Sequence, residues 1–173
     1  MDIHQFLELF VGRWRSQRSN HQFGRENDSD IRSVIEITSL SLDDPNLIAI
    51  CQQHDVDPKT TMHPMQMSWE EESLSSNKPN GSGFIVAIPD DLASPQKGEF
   101  LIGQSRGSYE FGVDESLTIQ IEVNQGAIVE RIWYGNPNLR FRVATWLQGE
   151  QVSDRRVQSS KFYSEIRSMT PKA

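Results

Sequence analysis

Hydrophobic and polar residues alternate along most of this chain of 173 residues. Alternation with a period of two is typical of β-strands that bury one face. Segment 117–123, LTIQIEV, has the clearest pattern. The same alternation predicts strands at 33–40, 65–72, 83–89, 98–105, 108–113, 127–134, 139–147 and 161–167. Short stretches rich in Gly, Asn, Pro and Ser separate these segments and indicate tight turns.

The helical pattern is confined to two short stretches. Apolar residues recur at helical spacing from Ile3 to Val11, with Asp2 placed to cap the helix and Gly12 to end it. A second helix is predicted over residues 44–54, where a proline follows two acidic residues at the helix start. After the first helix, the sequence RWRSQRSNHQF predicts an extended segment.

Many short strands joined by short turns predict a mostly β fold. The closely spaced hairpins favour an antiparallel up-and-down meander. Closing about ten strands into a β-barrel removes the exposed sheet edges and encloses a cavity. The chain is long enough to bury its own core, so we expect one domain over residues 1–173, with one or two short helices.

Composition excludes several classes of partner. The formal net charge of −7 and the pI near 5.1 argue against nucleic acid and against an anionic membrane surface. Cys51 is the only cysteine, so an intrachain disulfide is excluded. The N-terminus lacks the basic region of a signal peptide, and no apolar stretch approaches the roughly 20 residues of a membrane span. We expect a soluble intracellular protein.

The hairpin ERIWYGNPNLRFRVATW, residues 130–146, has two possible registers. A turn of two or four residues places Arg140 opposite Trp133 and leaves Glu130 on the other face. A turn of three residues, or a bulge, places Glu130, Arg140 and Arg142 on one face. The two arginines then either belong to a solvated surface or line the interior of the barrel, and the local pattern leaves both alternatives open.

Four blocks of sequence together resemble the S-type phycobiliprotein lyases (CpcS/CpeS). The order and spacing of the blocks match that family over nearly the whole chain, which makes the resemblance more specific than any one motif. The blocks are GRWRSQRSNH at 12–21, SWE at 68–70, ERIWYGNPNLRFR at 130–142 and FYSEIR at 162–167. GRW also resembles the lipocalin GxW entry, in which the tryptophan plugs the barrel floor.

The resemblance implies a barrel like those of lipocalins and fatty-acid-binding proteins that binds a phycobilin, an open-chain tetrapyrrole. The phycobilin is the substrate and no cofactor is implied. The enzyme attaches it by a thioether to a cysteine of an apo-phycobiliprotein subunit, of phycocyanin, allophycocyanin or phycoerythrin. The resemblance also implies that the enzyme is located in the cyanobacterial cytosol or the plastid stroma. We expect it to act alone, as a homodimer or together with a related lyase. The alternative is a non-catalytic carrier of a bilin, haem or fatty acid.

The resemblance and the chemistry of the bilin together indicate binding residues. Guanidinium groups match carboxylates bidentately, which suits Arg140 and Arg142 to the two propionates. Arg18 is a third cation, and Asn20 shares its face of the strand. Trp69 is the aromatic residue expected beside the flat rings, and the alternative for it is a place in the barrel core only. Trp133 and Tyr163 are weaker candidates for the same contact.

Catalysis is expected to depend on protonating the bilin, because protonation makes it a better electrophile. Glu130 is the first candidate for a carboxylate against the pyrrole nitrogens, unless it only pairs with a neighbouring arginine. Glu165 is a second candidate, with a surface position as the alternative. His21 matches a family histidine but differs in parity from Arg18, so only one of them faces inward in a regular strand. The glutamates at 70–72 are expected to be solvated, and the histidines show no metal-ligand spacing.

Overall fold

The computed structural model describes residues 1–22, 30–72 and 78–168. These residues form ten antiparallel strands, each paired with the next along the chain, and the last strand pairs with the first. The predicted mostly β barrel of about ten strands is therefore confirmed. The strands are β1 (Gly12–Gln22), β2 (Ile31–Ser39), β3 (Met62–Glu71), β4 (Asn80–Pro89), β5 (Lys97–Ile102), β6 (Ser105–Phe111), β7 (Leu117–Val123), β8 (Gly126–Asn136), β9 (Leu139–Gln148) and β10 (Arg156–Arg167).

Differences from the predicted strands lie at the turns. β5 ends at Ile102, because Gly103 adopts a left-handed conformation with a φ of 59° and begins the turn into β6. β10 begins at Arg156, well before the predicted start, because its polar first residues pair with β9 across a bulge. Because these residues do not alternate between hydrophobic and polar, the sequence pattern did not predict that β10 begins at Arg156.

Helix α1 (Ile3–Glu8) closes one end of the barrel. Asp2 caps it as predicted, and the helix is shorter than predicted because the chain turns after it to bring Phe10 into the core. Its apolar face belongs to the same core as Trp14, whose Nε1 donates a hydrogen bond of 2.9 Å to the carbonyl of Phe10. The guanidinium of Arg167 lies 4.3 Å from the centre of the indole ring. Trp14 is thus buried in the floor of the barrel, as the GxW resemblance implied.

Helix α2 (Pro45–Gln53) agrees with the predicted helix at 44–54 and is capped by Asp44. It packs on the outer face of β4 and β5, where Leu101 and other apolar residues form a second buried cluster. Cys51 belongs to that cluster and is buried outside the barrel interior. Among the residues that the structure describes, no helix combines the length and the hydrophobicity of a membrane crossing.

The hairpin of β8 and β9 adopts the bulged register. Arg140 pairs with Tyr134, Arg142 pairs with Ile132, and the register shifts between Tyr134 and Asn136. Because side chains alternate along a strand, Glu130 and both arginines share the inner face of the barrel. Of the two registers that the sequence leaves open, the structure has the one with all three residues inside.

Candidate functional site

A cavity of about 180 Å³ lies inside the barrel, between the buried floor and the open end opposite α1. Strands β1, β2 and β3 form one side of it, and β9 and β10 form the other. It combines an aromatic and aliphatic wall with two arginines and one carboxylate. The lining residues are Ser16, Arg18, Ser33, Ile35, Met67, Trp69, Glu71, Arg142 and Tyr163.

Arg142 is held in this cavity by two carboxylates. Its Nε donates to Glu165 at 3.0 Å and its Nη1 donates to Glu130 at 2.7 Å. The guanidinium lies 4.2 Å from the centre of the Tyr163 ring, over its face. Burial by itself lowers the pKa of Arg142, but Glu165 and Glu130 outweigh burial and raise it. The guanidinium is therefore a fixed, fully charged group with one side facing the cavity.

Arg140 lies beneath the cavity and does not line it. Its side chain is 2% exposed and its Nε donates to the fully buried Glu165 at 2.5 Å. The guanidinium sits between Phe10 and Trp14, at 4.8 and 4.6 Å from their ring centres. The structure thus places Arg140 in the floor, where a ligand in the cavity is not in contact with it.

Glu165 connects the floor to the cavity. Burial alone raises its pKa, but Arg142 and Arg140 together lower it below its ordinary value. Ser16 adds a hydrogen bond of 3.3 Å from its hydroxyl. Glu165 is therefore an ionised, buried anchor for both arginines, and the alternative of a surface position for this residue is excluded.

Arg18 and Asn20 lie on the inner face of β1, as their shared parity predicts. The Nη2 of Arg18 is 3.9 Å from a carboxylate oxygen of Glu71. Within the described residues, the Nε of Arg18 and the Oδ1 of Asn20 are buried and have no hydrogen-bond partner. Buried polar atoms without partners are uncommon in folded proteins, and a ligand or water in the barrel can satisfy these two atoms.

Trp69 forms the flat wall of the cavity, beside Met67. Its indole lies across β4 at Gly81, where a Cβ atom would stand 2.7 Å from Nε1. The glycine therefore leaves the space that the ring occupies. Trp69 is only partly buried and packs against the core from the cavity side. Trp69 therefore contributes to the core and also lines the cavity, so it is not barrel core only.

His21 and Trp133 are the two sequence-predicted residues that the structure places outside the barrel. His21 is exposed on the outer face of β1, with Nε2 at 3.3 Å from the hydroxyl of Ser19. Trp133 packs on the outer face against Phe141 and Phe162, with ring centres 5.6 and 6.5 Å apart. Strand parity separates both residues from the cavity.

Glu71 is a cavity residue that sequence reasoning missed. The expectation that all three glutamates at 70–72 are solvated is wrong for the middle one, because it shares the inward parity of Trp69. Glu70 and Glu72 point outward and pair with Lys78 and Arg15. The alternation of β3, extended by two residues beyond Trp69, is the signal that would have found it.

An exposed apolar pair extends the inner face toward the open end. Ile128 and Trp146 stand opposite each other on β8 and β9 and are 36% and 38% exposed. Trp146 is four residues beyond Arg142 on the same face, which is about 13 Å along the strand. Large apolar side chains that face a barrel interior and yet remain exposed offer contact area to a ligand that reaches beyond the cavity.

Comparisons with known proteins show which family this chain is similar to. The family model of CpeS-like proteins matches residues 2–168. A chromophore lyase CpcS/CpeS of Trichodesmium erythraeum is 35% identical over 97% of this chain and 100% of its own length. A second chromophore lyase CpcS/CpeS, of Thermosynechococcus vestitus, is 35% identical over 83% of both chains. A phycocyanobilin lyase subunit CpcS of Picosynechococcus is 29% identical over 83% of this chain and 77% of its own length.

The barrel is also similar to a solved structure. The S-type phycobiliprotein lyase CpeS of Guillardia theta superposes with a TM-score of 0.84 and is 27% identical, over 99% of this chain and 95% of its own. With a family model matched over nearly every residue and a relative aligned along its full length, this chain belongs to the family of CpeS-like proteins.

Proposed function

We propose that this protein is a chromophore lyase, which binds a phycobilin and catalyses its thioether attachment to a cysteine of an apo-phycobiliprotein subunit. The relatives named as chromophore and phycocyanobilin lyases support this reaction. The observation that carries the proposal is Arg142, a guanidinium fixed by two carboxylates in a cavity that has an aromatic wall.

The propionates of the bilin bind to Arg142 and Arg18. Arg142 loses little side-chain freedom on binding, because Glu130 and Glu165 already hold its orientation. Arg18 has only a long contact of 3.9 Å to Glu71 and an Nε without a partner in the described part of the chain. It is therefore available to a carboxylate. Asn20, with its orphaned Oδ1, accepts a hydrogen bond from an N–H of the ligand.

The conjugated rings lie against Trp69 and Tyr163 and extend to the open end. Sites for ligands of drug size usually measure about 300–1,000 Å³, whereas this cavity measures about 180 Å³. A tetrapyrrole therefore enters only in part. The remainder lies over Ile128 and Trp146, and one terminal ring stays accessible to the thiol of the acceptor.

The nucleophile belongs to the acceptor protein. Cys51 is buried between α2 and the outer face of the barrel, and burial raises the pKa of its thiol. It therefore takes no part in the transfer. The acceptor sulfur bonds to the ethylidene carbon of the bilin, and the conjugated system takes up the thiol proton. The lyase contributes proximity and orientation, which are worth several kcal/mol, and stabilises the protonated bilin.

The acceptor is a phycocyanin, allophycocyanin or phycoerythrin subunit, and the lyase acts in the cyanobacterial cytosol or the plastid stroma, alone or with a related lyase. The test mixes the purified protein with phycocyanobilin and an apo-subunit and follows fluorescence of the acceptor band on a denaturing gel. Fluorescence that survives denaturation, and forms faster than without the protein, supports the proposal. A tight bilin complex without covalent transfer, also when a related lyase is added, would identify a carrier.

A further inference from the structure

We propose that Glu71 is the carboxylate that accepts hydrogen bonds from the pyrrole N–H groups of the bilin and stabilises the protonated chromophore. This inference rests on the proposed function and assigns a role to a residue in the same cavity. It differs from the expectation that Glu130 has this task. Three observations carry it: the position of Glu71 in the cavity wall, the pairing of the other carboxylates and the arrangement of charge around the cavity.

Glu71 projects from the inner face of β3 directly into the cavity, one inward position beyond Trp69. Its side chain is 22% exposed, so it is partly desolvated and still accessible to a ligand. In the described ranges its side chain makes no hydrogen bond, and its nearest charged group is Arg18 at 3.9 Å. A distance of 3.9 Å is longer than a hydrogen bond, so both lone-pair regions of the carboxylate are open to new donors.

The other carboxylates on the inner face are already engaged. Glu130 accepts from Arg142 at 2.7 Å, and Glu165 accepts from both Arg142 and Arg140. Glu130 and Glu165 do not line the cavity. Each compensates an arginine that is itself buried or nearly so, and withdrawing a carboxylate from that pairing leaves an uncompensated charge. Glu71 is the one of the three that lines the cavity, and its contact with an arginine, Arg18, is the longest of these pairings at 3.9 Å.

The charges around the cavity match those of a protonated bilin. Arg18 on β1 and Arg142 on β9 lie on either side of Tyr163 on β10, so the two positive groups share one part of the cavity wall. Glu71 lies on β3, next to the aromatic wall formed by Trp69. A ring system stacked on Trp69 therefore brings its N–H groups toward Glu71 while its propionates reach the arginines.

The role of Glu71 is electrostatic, and no proton passes through the protein. The bilin takes its additional proton from water, and the carboxylate of Glu71 lies beside the resulting cation. Binding of a propionate to Arg18 weakens the existing contact between Arg18 and Glu71, which frees the carboxylate for the N–H groups. A protonated bilin is the more electrophilic species, so its stabilisation accelerates attack by the acceptor thiol.

The sequence provides controls of the same residue type, because the neighbouring Glu70 and Glu72 point outward and only Glu71 of the three lines the cavity. The experiment titrates phycocyanobilin bound to the full-length protein between acid and alkaline pH and follows the long-wavelength absorption of the protonated form. The variants are Glu71→Gln, the outward-facing controls Glu70→Gln and Glu72→Gln, and Glu130→Gln. Circular dichroism and a binding titration accompany each variant, and Glu71→Ala serves as a second variant at the same position.

We expect Glu71→Gln to lower the pKa of the bound bilin by about 1–3 units, with both control variants unchanged and bilin transfer slowed. Two results would overturn the inference and leave the proposed function standing: an unchanged bilin pKa in Glu71→Gln and Glu71→Ala, or a decrease in Glu130→Gln instead. Failure of the unaltered protein to bind any bilin would overturn the proposed function itself.

Discussion

Arg140 and Arg142 lie two residues apart on the inner face of β9 and both bind Glu165, yet only Arg142 lines the cavity. Arg140 is enclosed by the aromatic rings of Phe10 and Trp14 in the floor. The same residue type thus has two tasks along one strand. Arg140 neutralises a buried carboxylate and supports the fold, while Arg142 presents a guanidinium to the ligand.

We expect Arg140→Met to lower the free energy of unfolding by about 3 kcal/mol, because it removes one partner from the buried Glu165. Urea denaturation followed by tryptophan fluorescence measures this loss. Arg142→Gln is the matched variant, and we expect it to reduce stability less, because Arg142 is 18% exposed at the cavity, whereas Arg140 is 2% exposed and enclosed in the floor. A greater loss of stability in Arg142→Gln than in Arg140→Met would contradict this division.

Stability at acid pH is expected to depend on Glu165, whose pKa in the folded protein is lowered by Arg142 and Arg140 against the effect of burial. Between its lowered pKa and the unfolded value of about 4.3, only the unfolded chain holds the proton, so acidification favours unfolding. The contribution of Glu165 is complete above about pH 4.3 and disappears as the pH falls through the folded pKa.

Urea denaturation at a series of pH values from neutral to acid tests this dependence. Glu165→Gln is expected to be less stable at neutral pH and to show a shallower decline with acidification, whereas Glu72→Gln, on the outer face, keeps the steep decline. Parallel declines in Glu165→Gln and the unaltered protein would show that another group causes the acid sensitivity.

A second pH dependence is expected where α1 meets β3. His4 and His63 contact each other there, Nδ1 to Nε2, at 3.2 Å. Burial and then His4 lower the pKa of His63, while Glu8 and Asp2 oppose the shift. Because the folded pKa lies below the ordinary value of about 6.5, the unfolded chain binds the proton more readily. Stability present above that pH is lost as the pH falls toward the folded pKa.

His63→Asn tests this pair without straining the backbone. His63 has a φ of 46°, a left-handed conformation that asparagine adopts more readily than most residues. We expect the variant to fold and to lose less thermal stability than the unaltered protein between about pH 7 and pH 5.5, on either side of the ordinary histidine pKa. The same decrease in melting temperature in both proteins would show that protonation of His63 does not cause the loss of stability in this range.

Trp146 is expected to contribute to bilin binding, whereas Trp133 is not. Trp146 faces the inside of the barrel near its open end, and Trp133 lies on the outer face against Phe141. Trp146→Ala should weaken binding about tenfold, which corresponds to about 1.4 kcal/mol. Trp133→Ala is the control of the same size. An absorbance titration with the bilin measures both affinities. Equal affinities of the two variants would show that the bilin does not bind against Trp146.

The sequence predicted the barrel well because alternation reports directly on strands that bury one face. It left the hairpin register open, since the bulge near Asn136 has no signature in hydrophobicity. Parity identified the inward position of Arg18 and the conflict with His21. Parity did not show that Arg140 lies in the floor and Arg142 in the cavity wall. The position of a residue between floor and open end depends on which end of the barrel the helix α1 closes. Glu71 was missed because three like charges in a row resemble a solvated surface.

The rate of bilin transfer to an apo-phycobiliprotein subunit, compared between the unaltered protein and Arg142→Gln, tests the role of Arg142 most directly. Arg15→Gln is the control, because Arg15 lies on the outer face of β1 with most of its side chain exposed. We predict that Arg142→Gln transfers at least about tenfold more slowly at limiting bilin, a loss of about 1.4 kcal/mol or more, while Arg15→Gln retains the full rate. Transfer by Arg142→Gln at the unaltered rate would contradict the account, because the bilin would then not depend on the cavity between β1, β3, β9 and β10.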